Sequence, residues 1–374
     1  MNIIYGAGVV GEAVLYACRY NNIKVGCFCD DNTNITGRNL CDIPIINTLS
    51  VIQDKKTPHH FIIATTEIQD VINKIQVNKL ATWENCIKLL NHFDVYAHTF
   101  SKKIDFARYV IDACISCHKA HQCPNKLFIR SVDLVITEKC SLKCKDCSNL
   151  MQYYKKPHGY LTRFLYDSID RLCEIADEIH ECRIIGGEPL LHKEHHKIVE
   201  RVLSKPNVNK VIIYTNGTIN IPPSKIQPYK NNKVVFFITD YGKLSKQIQQ
   251  LQQTLMQNNI MYYINPVGGW TDCSKIVSHN NGLELFKNCC SKNTFTLLNG
   301  MFYRCPFSAN AMHLGLIKDY ITDFCDIFSN TKESLQSFLY STNTTGVQSC
   351  NNCNGRVYGT KEIIPAIQNI KKNG

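Results

Sequence analysis

The residues with the most chemical potential in this chain are Cys140-Ser-Leu-Lys-Cys144-Lys-Asp-Cys147. Three cysteines, spaced by three and then two residues, follow the apolar run 132–137. Thiolates are the usual iron–sulfur ligands; three of them can hold three irons of a 4Fe–4S cube and leave the fourth iron open to a cofactor or substrate. Three legs of a zinc site and plain buried thiols are the competing readings. Gly186-Gly187-Glu188-Pro189 lies further on, also at the end of a strand-like run, Cys182-Arg-Ile-Ile.

A second constellation is Cys290, Gly300 and Cys305, followed by Cys350-x2-Cys353. The stretch 294–304 reads as a hairpin turning at Asn299-Gly300, a strong turn pair. Such a hairpin brings Cys290 and Cys305 together, and Cys350 and Cys353 complete four thiolates for a second cluster or for zinc. Cys289 is an alternative to its neighbour Cys290. Cys114-Ile-Ser-Cys117-His118, with His121 and Cys123 close behind, has the residue types for another metal, and a connector that happens to be cysteine-rich is an equal reading.

The elements that must position these residues alternate between strand-like and helical runs. Residues 1–95 read as a compact α/β unit. Ile3-Ile4-Tyr5 precedes the glycine turn Gly6-Ala-Gly8-Val-Val-Gly11, and a helix candidate leads to a second strand ending at Asp30-Asp31. That order is a dinucleotide-type fingerprint: glycines admit a diphosphate to a helix N-terminus, and the acid can hold a ribose hydroxyl. Residues 96–131 read as a helical connector. Residues 132–268 alternate β and α, which implies a parallel sheet covered by helices. Thr215-Asn216-Gly217 and Thr239-Asp240-Tyr241-Gly242 stand at further strand ends, where parallel α/β folds keep their chemistry. Residues 269–374 carry the second cysteine set.

The 374-residue chain has a net charge of +11 spread without long basic runs, which argues against nucleic acid as a partner. No run approaches a membrane span. The start Met1-Asn-Ile-Ile-Tyr-Gly has no basic leader, so the 20 cysteines are expected to be reduced thiols and metal ligands in a cytoplasmic chain.

The Cys140–Cys147 and Gly186–Pro189 motifs resemble the radical S-adenosylmethionine (SAM) superfamily. The resemblance implies a partial (β/α)6 barrel after a Rossmann-like domain, with Cys140, Cys144 and Cys147 on the cluster. It assigns Gly186, Gly187, Glu188 and Pro189 to the methionine end of SAM, and Asn216 and Asp240 to its ribose or carboxylate. The position before the third cysteine, commonly aromatic in the family, is Asp146, which leaves the usual adenine contact in doubt. Cys290, Cys305, Cys350 and Cys353 resemble the start of a SPASM extension in its truncated, twitch form, with one auxiliary 4Fe–4S cluster; the spacing to Gly300 favours Cys290 over Cys289.

The first domain resembles those attached to sugar-modifying enzymes. Gly6, Gly8, Gly11 and Asp30 would then meet a nucleotide or nucleotide-sugar; a true NAD site and a packing module are the alternatives. The reaction this implies is hydrogen abstraction from a sugar, cyclitol or nucleotide-sugar, ending in oxidation of an alcohol and fed by a flavodoxin- or ferredoxin-like reductant. Cys273 is a hydrogen donor if the outcome is epimerisation, and otherwise a packed thiol. Asp272, Tyr153, Tyr154 and Arg304 are pocket candidates by position. A peptide maturase and a non-enzymatic cluster carrier are the remaining alternatives.

Overall fold

A computed structural model describes all residues except 55, 293, 341–345, 358 and 370–374. The chain divides into two units, Met1–Lys126 and Leu127–Gly374. No helix among the described residues is long and apolar enough to cross a membrane.

The first unit contains β1 (Asn2–Tyr5), α1 (Val9–Tyr20), β2 (Val25–Asp30), β3 (Asn39–Leu40), β4 (Ile43–Asn47), α2 (Thr48–Gln53), β5 (His59–Ile63), α3 (Ile68–Ile75), β6 (Ala81–Asn85), α4 (Ile87–Leu90) and α5 (Ile104–His121). Its six strands run in the order β3-β4-β2-β1-β5-β6, parallel except for the β3–β4 pair. The strands are apolar on both faces because helices cover both. Ile3, Tyr5 and Phe61 face one helical layer, while Ile4, Phe28 and Ile62 face the other.

The expected connector 96–131 is not a separate piece. Its helix α5 buries Ala107, Ile111 and Cys114 in the same apolar cluster as Ala13, Val14 and Leu15 of α1, which fixes it in the first unit. Only residues 127–131 of that stretch belong to the second unit, whose first strand begins at Phe128.

The second unit contains β7 (Phe128–Thr137), α6 (Thr162–Ile175), β8 (Glu178–Gly186), α7 (His195–Leu203), β9 (Val208–Thr215), β10 (Val234–Asp240), α8 (Ile248–Gln257), β11 (Met261–Pro266), β12 (Trp270–Thr271), α9 (Gly282–Asn288), β13 (Phe295–Leu298), β14 (Met301–Tyr303), α10 (Pro306–His313), β15 (Phe324–Asp326), α11 (Lys332–Tyr340) and β16 (Glu362–Ile363). β7 to β11 form the expected parallel array, each strand beside its predecessor. α6 buries Leu165, Ile169 and Leu172 at helical spacing, and α8 buries Leu251 and Leu255, so each lays one stripe on the sheet.

The hairpin read from Asn299-Gly300 is present. Both residues have positive φ, 51° and 79°, as a two-residue turn of the primed kind requires. Its strand β13 pairs parallel with β7, Phe295 opposite Val132 and Leu297 opposite Leu134. The hairpin therefore extends the barrel sheet as its sixth parallel strand, and no break falls at 268/269.

Candidate active site

The first thiol group sits on the loop that leaves β7 at Thr137. Two features bind it to the end of β8. The Gly187 N–H donates to the Thr137 carbonyl at 3.0 Å, and the Glu188 N–H donates to the Lys139 carbonyl at 2.8 Å. The approach is so close that a Cβ on Gly186 would stand 2.2 Å from the Thr137 oxygen. One on Gly187 would stand 2.4 Å from the Lys139 oxygen and 2.7 Å from Cys140 Cβ. Both glycines are thus required by the seam between the two motifs.

Glu188 departs from its expected place. Its carboxylate is fully buried and accepts from Leu190 N–H at 3.2 Å, Thr215 Oγ1 at 2.8 Å and Asn216 N–H at 2.8 Å. Burial pushes its carboxyl up to about 7, against those three donors. It holds the end of β9 and caps the turn that starts at Pro189. Asn216, so placed, directs Nδ2 at Cys140 Sγ (3.7 Å) and Ser141 Oγ (3.2 Å). Asp240 ends β10, where its Oδ1 accepts from Gly242 N–H at 2.8 Å.

Two further features belong to this site, the first without a signal in the sequence and the second seen there only as part of a strand-end motif. The first is the chain near its C-terminus, which crosses over the loop. Lys145 N–H donates to the Ile367 carbonyl, Asn369 N–H to the Lys143 carbonyl, and Gln368 Nε2 lies 3.4 Å from Cys144 Sγ. The second is Tyr241, whose hydroxyl is raised by burial and then by the charges of Cys144, Cys147 and Cys140. Trp270 meets that ring edge-on at 6.1 Å.

The second thiol group lines a cleft whose wall includes Ser148, next to Cys147. Cys289, Cys305, Cys350, Cys353 and Cys273 all face it; Cys290 does not and is exposed. Cys289 forms an antiparallel bridge with Val357, and successive side chains of an extended segment point to opposite sides, so only one of the two cysteines can look inward. Backbone N–H groups are aimed at the sulfurs: Arg356 N–H at Cys289 (3.4 Å), Ser308 at Cys305 (3.4 Å) and Gly355 at Cys353 (3.1 Å). Such donors are among the tuning elements of iron–sulfur sites.

Burial pushes Cys140 and Cys305 up to about 12 and drives Cys350 and Cys353 higher still. As bare thiols they hold their protons at neutral pH; a coordinated metal removes them. Among the described residues neither thiol group closes to the spacing of a single ion, where thiolates stand about 3.8 Å apart. A multi-iron cube spreads its ligands wider, and the donors fit it.

Arg356 lies in the cleft wall, its Nε 3.3 Å from Cys273 Sγ. Glu138, two residues before Cys140, accepts from Tyr160 (2.9 Å) and pairs with His158 (2.8 Å) and His313 (3.3 Å) on α10, the helix that Cys305 caps. Of the positional candidates, Arg304 is buried in the cleft wall, stacked 4.2 Å over Phe338 and bonded to the Leu339 carbonyl. Tyr154 donates to Asn310, Tyr153 to the Ser274 carbonyl, and Asp272 pairs with Lys275.

In the first unit, a Cβ on Gly6 would meet the Ala64 oxygen at 2.8 Å and one on Gly11 the Gly6 oxygen at 2.1 Å, so packing alone demands both. Gly8 has nothing within 4 Å. Asp30, expected on a ribose, accepts from the Ala7 N–H of the glycine turn (2.8 Å) and from Asn32 N–H (2.8 Å).

Residues 134–239 match the model of the Radical SAM superfamily. This stretch is a radical SAM domain. The radical SAM superfamily uses a 4Fe–4S cluster and SAM. Curated relatives include the GTP 3',8-cyclase of Alkaliphilus metalliredigens, 26% identical over 39% of this chain and 51% of the relative. That of Petrotoga mobilis is 30% identical over 42% and 52%, and that of Stenotrophomonas maltophilia 37% identical over 23% and 26%. The chain thus spans about half or less of the curated relatives it matches. Among solved structures, BtrN in complex with AdoMet and 2-DOIA is similar at 19% identity and a TM-score of 0.38, covering 64% of this chain and 98% of that one. Native anSMEcpe with bound AdoMet is similar at 13% identity and a TM-score of 0.40, covering 57% and 80%.

Proposed function

We propose that this enzyme oxidises an alcohol of a sugar, cyclitol or nucleotide-sugar, with an auxiliary 4Fe–4S cluster on Cys289, Cys305, Cys350 and Cys353 as electron acceptor. The observation that carries the reading is the thiol-lined cleft that reaches Ser148, beside the radical SAM cysteines, with Arg356 in its wall 3.3 Å from Cys273. When bound, the first cluster and SAM supply a 5′-deoxyadenosyl radical that takes a hydrogen atom from an unactivated carbon.

The chain's own residues do the rest. Cys140, Cys144 and Cys147 hold the first cluster, and the Gly186-Gly187 backbone with Asn216 and Asp240 shapes the SAM site; Glu188 acts one step back, by fixing Asn216. Tyr241 and Trp270 supply the aromatic surface that Asp146 does not. Arg356 stabilises a developing alkoxide or an anionic substrate group. Cys289, Cys305, Cys350 and Cys353 would hold the second cluster, which would supply the one-electron acceptor that, with loss of one proton, a two-electron alcohol oxidation requires after hydrogen-atom removal. Glu138, paired with His158 and His313, is the proton acceptor in this scheme. A flavodoxin- or ferredoxin-like reductant suits the +11 charge.

The curated relatives act on GTP by their names, which favours a nucleotide-bearing substrate and would give the open space at Gly8 a purpose. The test is anaerobic reconstitution with measurement of 5′-deoxyadenosine against nucleotide-sugars, cyclitols, GTP and peptides. A nucleotide-sugar or cyclitol product lighter by two hydrogens supports the reading. Epimerised product that disappears in Cys273→Ser moves the assignment to an epimerase, and turnover of peptides alone moves it to a maturase.

A further inference from the structure

The first unit holds a third group of metal-type donors, outside both thiol groups of the second. Cys86 follows β6 and caps α4, while Cys114 and His118 stand four residues apart on α5, on one face of the helix. All three are 0% exposed. Their donor atoms all lie within 4.8 Å of one another, with Cys86 Sγ 3.8 Å from Cys114 Sγ and 3.7 Å from His118 Nδ1.

A tetrahedral zinc ion with bonds of about 2.3 Å to sulfur and about 2.05 Å to nitrogen sets its ligands about 3.8 Å (S to S) and about 3.6 Å (S to N) apart. Two of the three edges measured here have those lengths. The other ring nitrogen supplies an independent observation. His118 Nε2 lies 2.8 Å from the Thr65 carbonyl oxygen, which can only accept. That contact puts the proton on Nε2 and leaves Nδ1 with its lone pair toward the sulfurs, the orientation in which a histidine binds metal with its second nitrogen anchored to a carbonyl. Two thiolates also neutralise a divalent ion, so the loaded site carries no net charge into the apolar cluster that contains Cys86 and Cys114.

We propose that Cys86, Cys114 and His118 bind one Zn²⁺, water completing the coordination, as a structural staple that joins α5 to the β6–α4 corner. Binding displaces two thiol protons per ion and changes no oxidation state. Cys117 and Cys123, the other cysteines of the expected motif, are not in the set: Cys123 is exposed, and the helical turn brings His118 to Cys86 instead.

The test uses the full chain with its iron–sulfur sites loaded under anaerobic conditions and Zn²⁺ as the probe. One zinc per chain is expected, with unchanged iron. Cys86→Ala, Cys114→Ala and His118→Gln should each lose it, while His118→Cys should retain it. A variant that fails to fold leaves zinc EXAFS of the wild-type chain as the deciding measurement. Two sulfurs and two lighter neighbours, one a histidine nitrogen and one a water oxygen, in the first shell support the site. Four sulfurs, or no zinc in the loaded wild type, would overturn it, as would zinc content indifferent to the three substitutions.

Discussion

Gly187→Ala tests the seam on which the site is built. The new methyl would stand 2.4 Å from the Lys139 oxygen and 2.7 Å from Cys140 Cβ, where ordinary contact begins near 3.4 Å. The loop must recede by about 1 Å, and metal–ligand distances tolerate only about 0.2 Å. The movement also breaks the bonds from Gly187 N–H to Thr137 and from Glu188 N–H to Lys139. Two hydrogen bonds at about 0.5–1.5 kcal/mol each, with about 1–3 kcal/mol for overpacking, give a loss of roughly 2–6 kcal/mol, concentrated on the cluster loop. Iron and sulfide per chain, 5′-deoxyadenosine release and the urea midpoint of the iron-free chain would be measured together. The expected variant has lost about four irons, has no SAM cleavage, and keeps the second cluster. Gly8→Ala, with open space around its Cβ, is the matched control and should leave stability unchanged. Full iron and undiminished 5′-deoxyadenosine in Gly187→Ala would refute the reasoning.

The second cysteine set makes a sharper genetic prediction: Cys289→Ser should lose about four irons, while Cys290→Ser, whose side chain is outside the cleft, should keep them. Cys144→Ala should abolish SAM cleavage and leave the auxiliary cluster in place, as read by the iron count and spectrum. Glu188 predicts a pH dependence. Its folded carboxyl is held at about 7 against an ordinary 4.5, so the folded iron-free chain keeps a proton that the unfolded chain releases. Stability then falls as pH rises from about 4.5 to about 7 and is level above, by roughly 3 kcal/mol at 1.36 kcal/mol per unit. Urea midpoints of the iron-free chain should show that slope, and Glu188→Gln should lack it.

Much of the site was legible because its chemistry is local in sequence. Cys140, Cys144 and Cys147 lie on one short loop, and Gly186 to Pro189 is a contiguous turn at the next strand end, so the two motifs together came into view where the cysteine spacing alone left zinc and buried thiols open. The hairpin at Asn299-Gly300 was readable because two adjacent positive-φ residues leave few alternatives. What the sequence did not carry was side-chain direction. Cys289 and Cys290 are adjacent and chemically identical, and only the bridge to Val357 decides which one faces the cleft. Glu188 was expected at the methionine end of SAM from the family resemblance, yet its carboxylate is turned inward by donors from Thr215 and Asn216, far along the chain. The same blindness to long-range contact hid the contacts of Tyr241, Arg356 and Gln368, and let Cys117 stand where Cys86 belongs.

The long-range contacts also explain why the two thiol groups need one continuous frame. β13 joins the parallel ladder through β7, the strand that carries Cys140 to Cys147 on its exit loop. The hairpin that presents Cys305 is therefore registered directly against the first loop. Glu138 adds a side-chain tie, since it reaches His158 beside its own loop and His313 on the helix that begins at Cys305. Gln368 and the backbone of Lys143 and Lys145 close the same loop from the far end of the chain. The proposed oxidation would need the two thiol groups at a fixed separation, and a fixed separation follows when both loops hang on adjacent strands of one sheet. A free-standing auxiliary domain on a linker would supply the ligands without the geometry. The β7–β13 pairing is thus the structural reason to read the second thiol group as part of the catalytic apparatus.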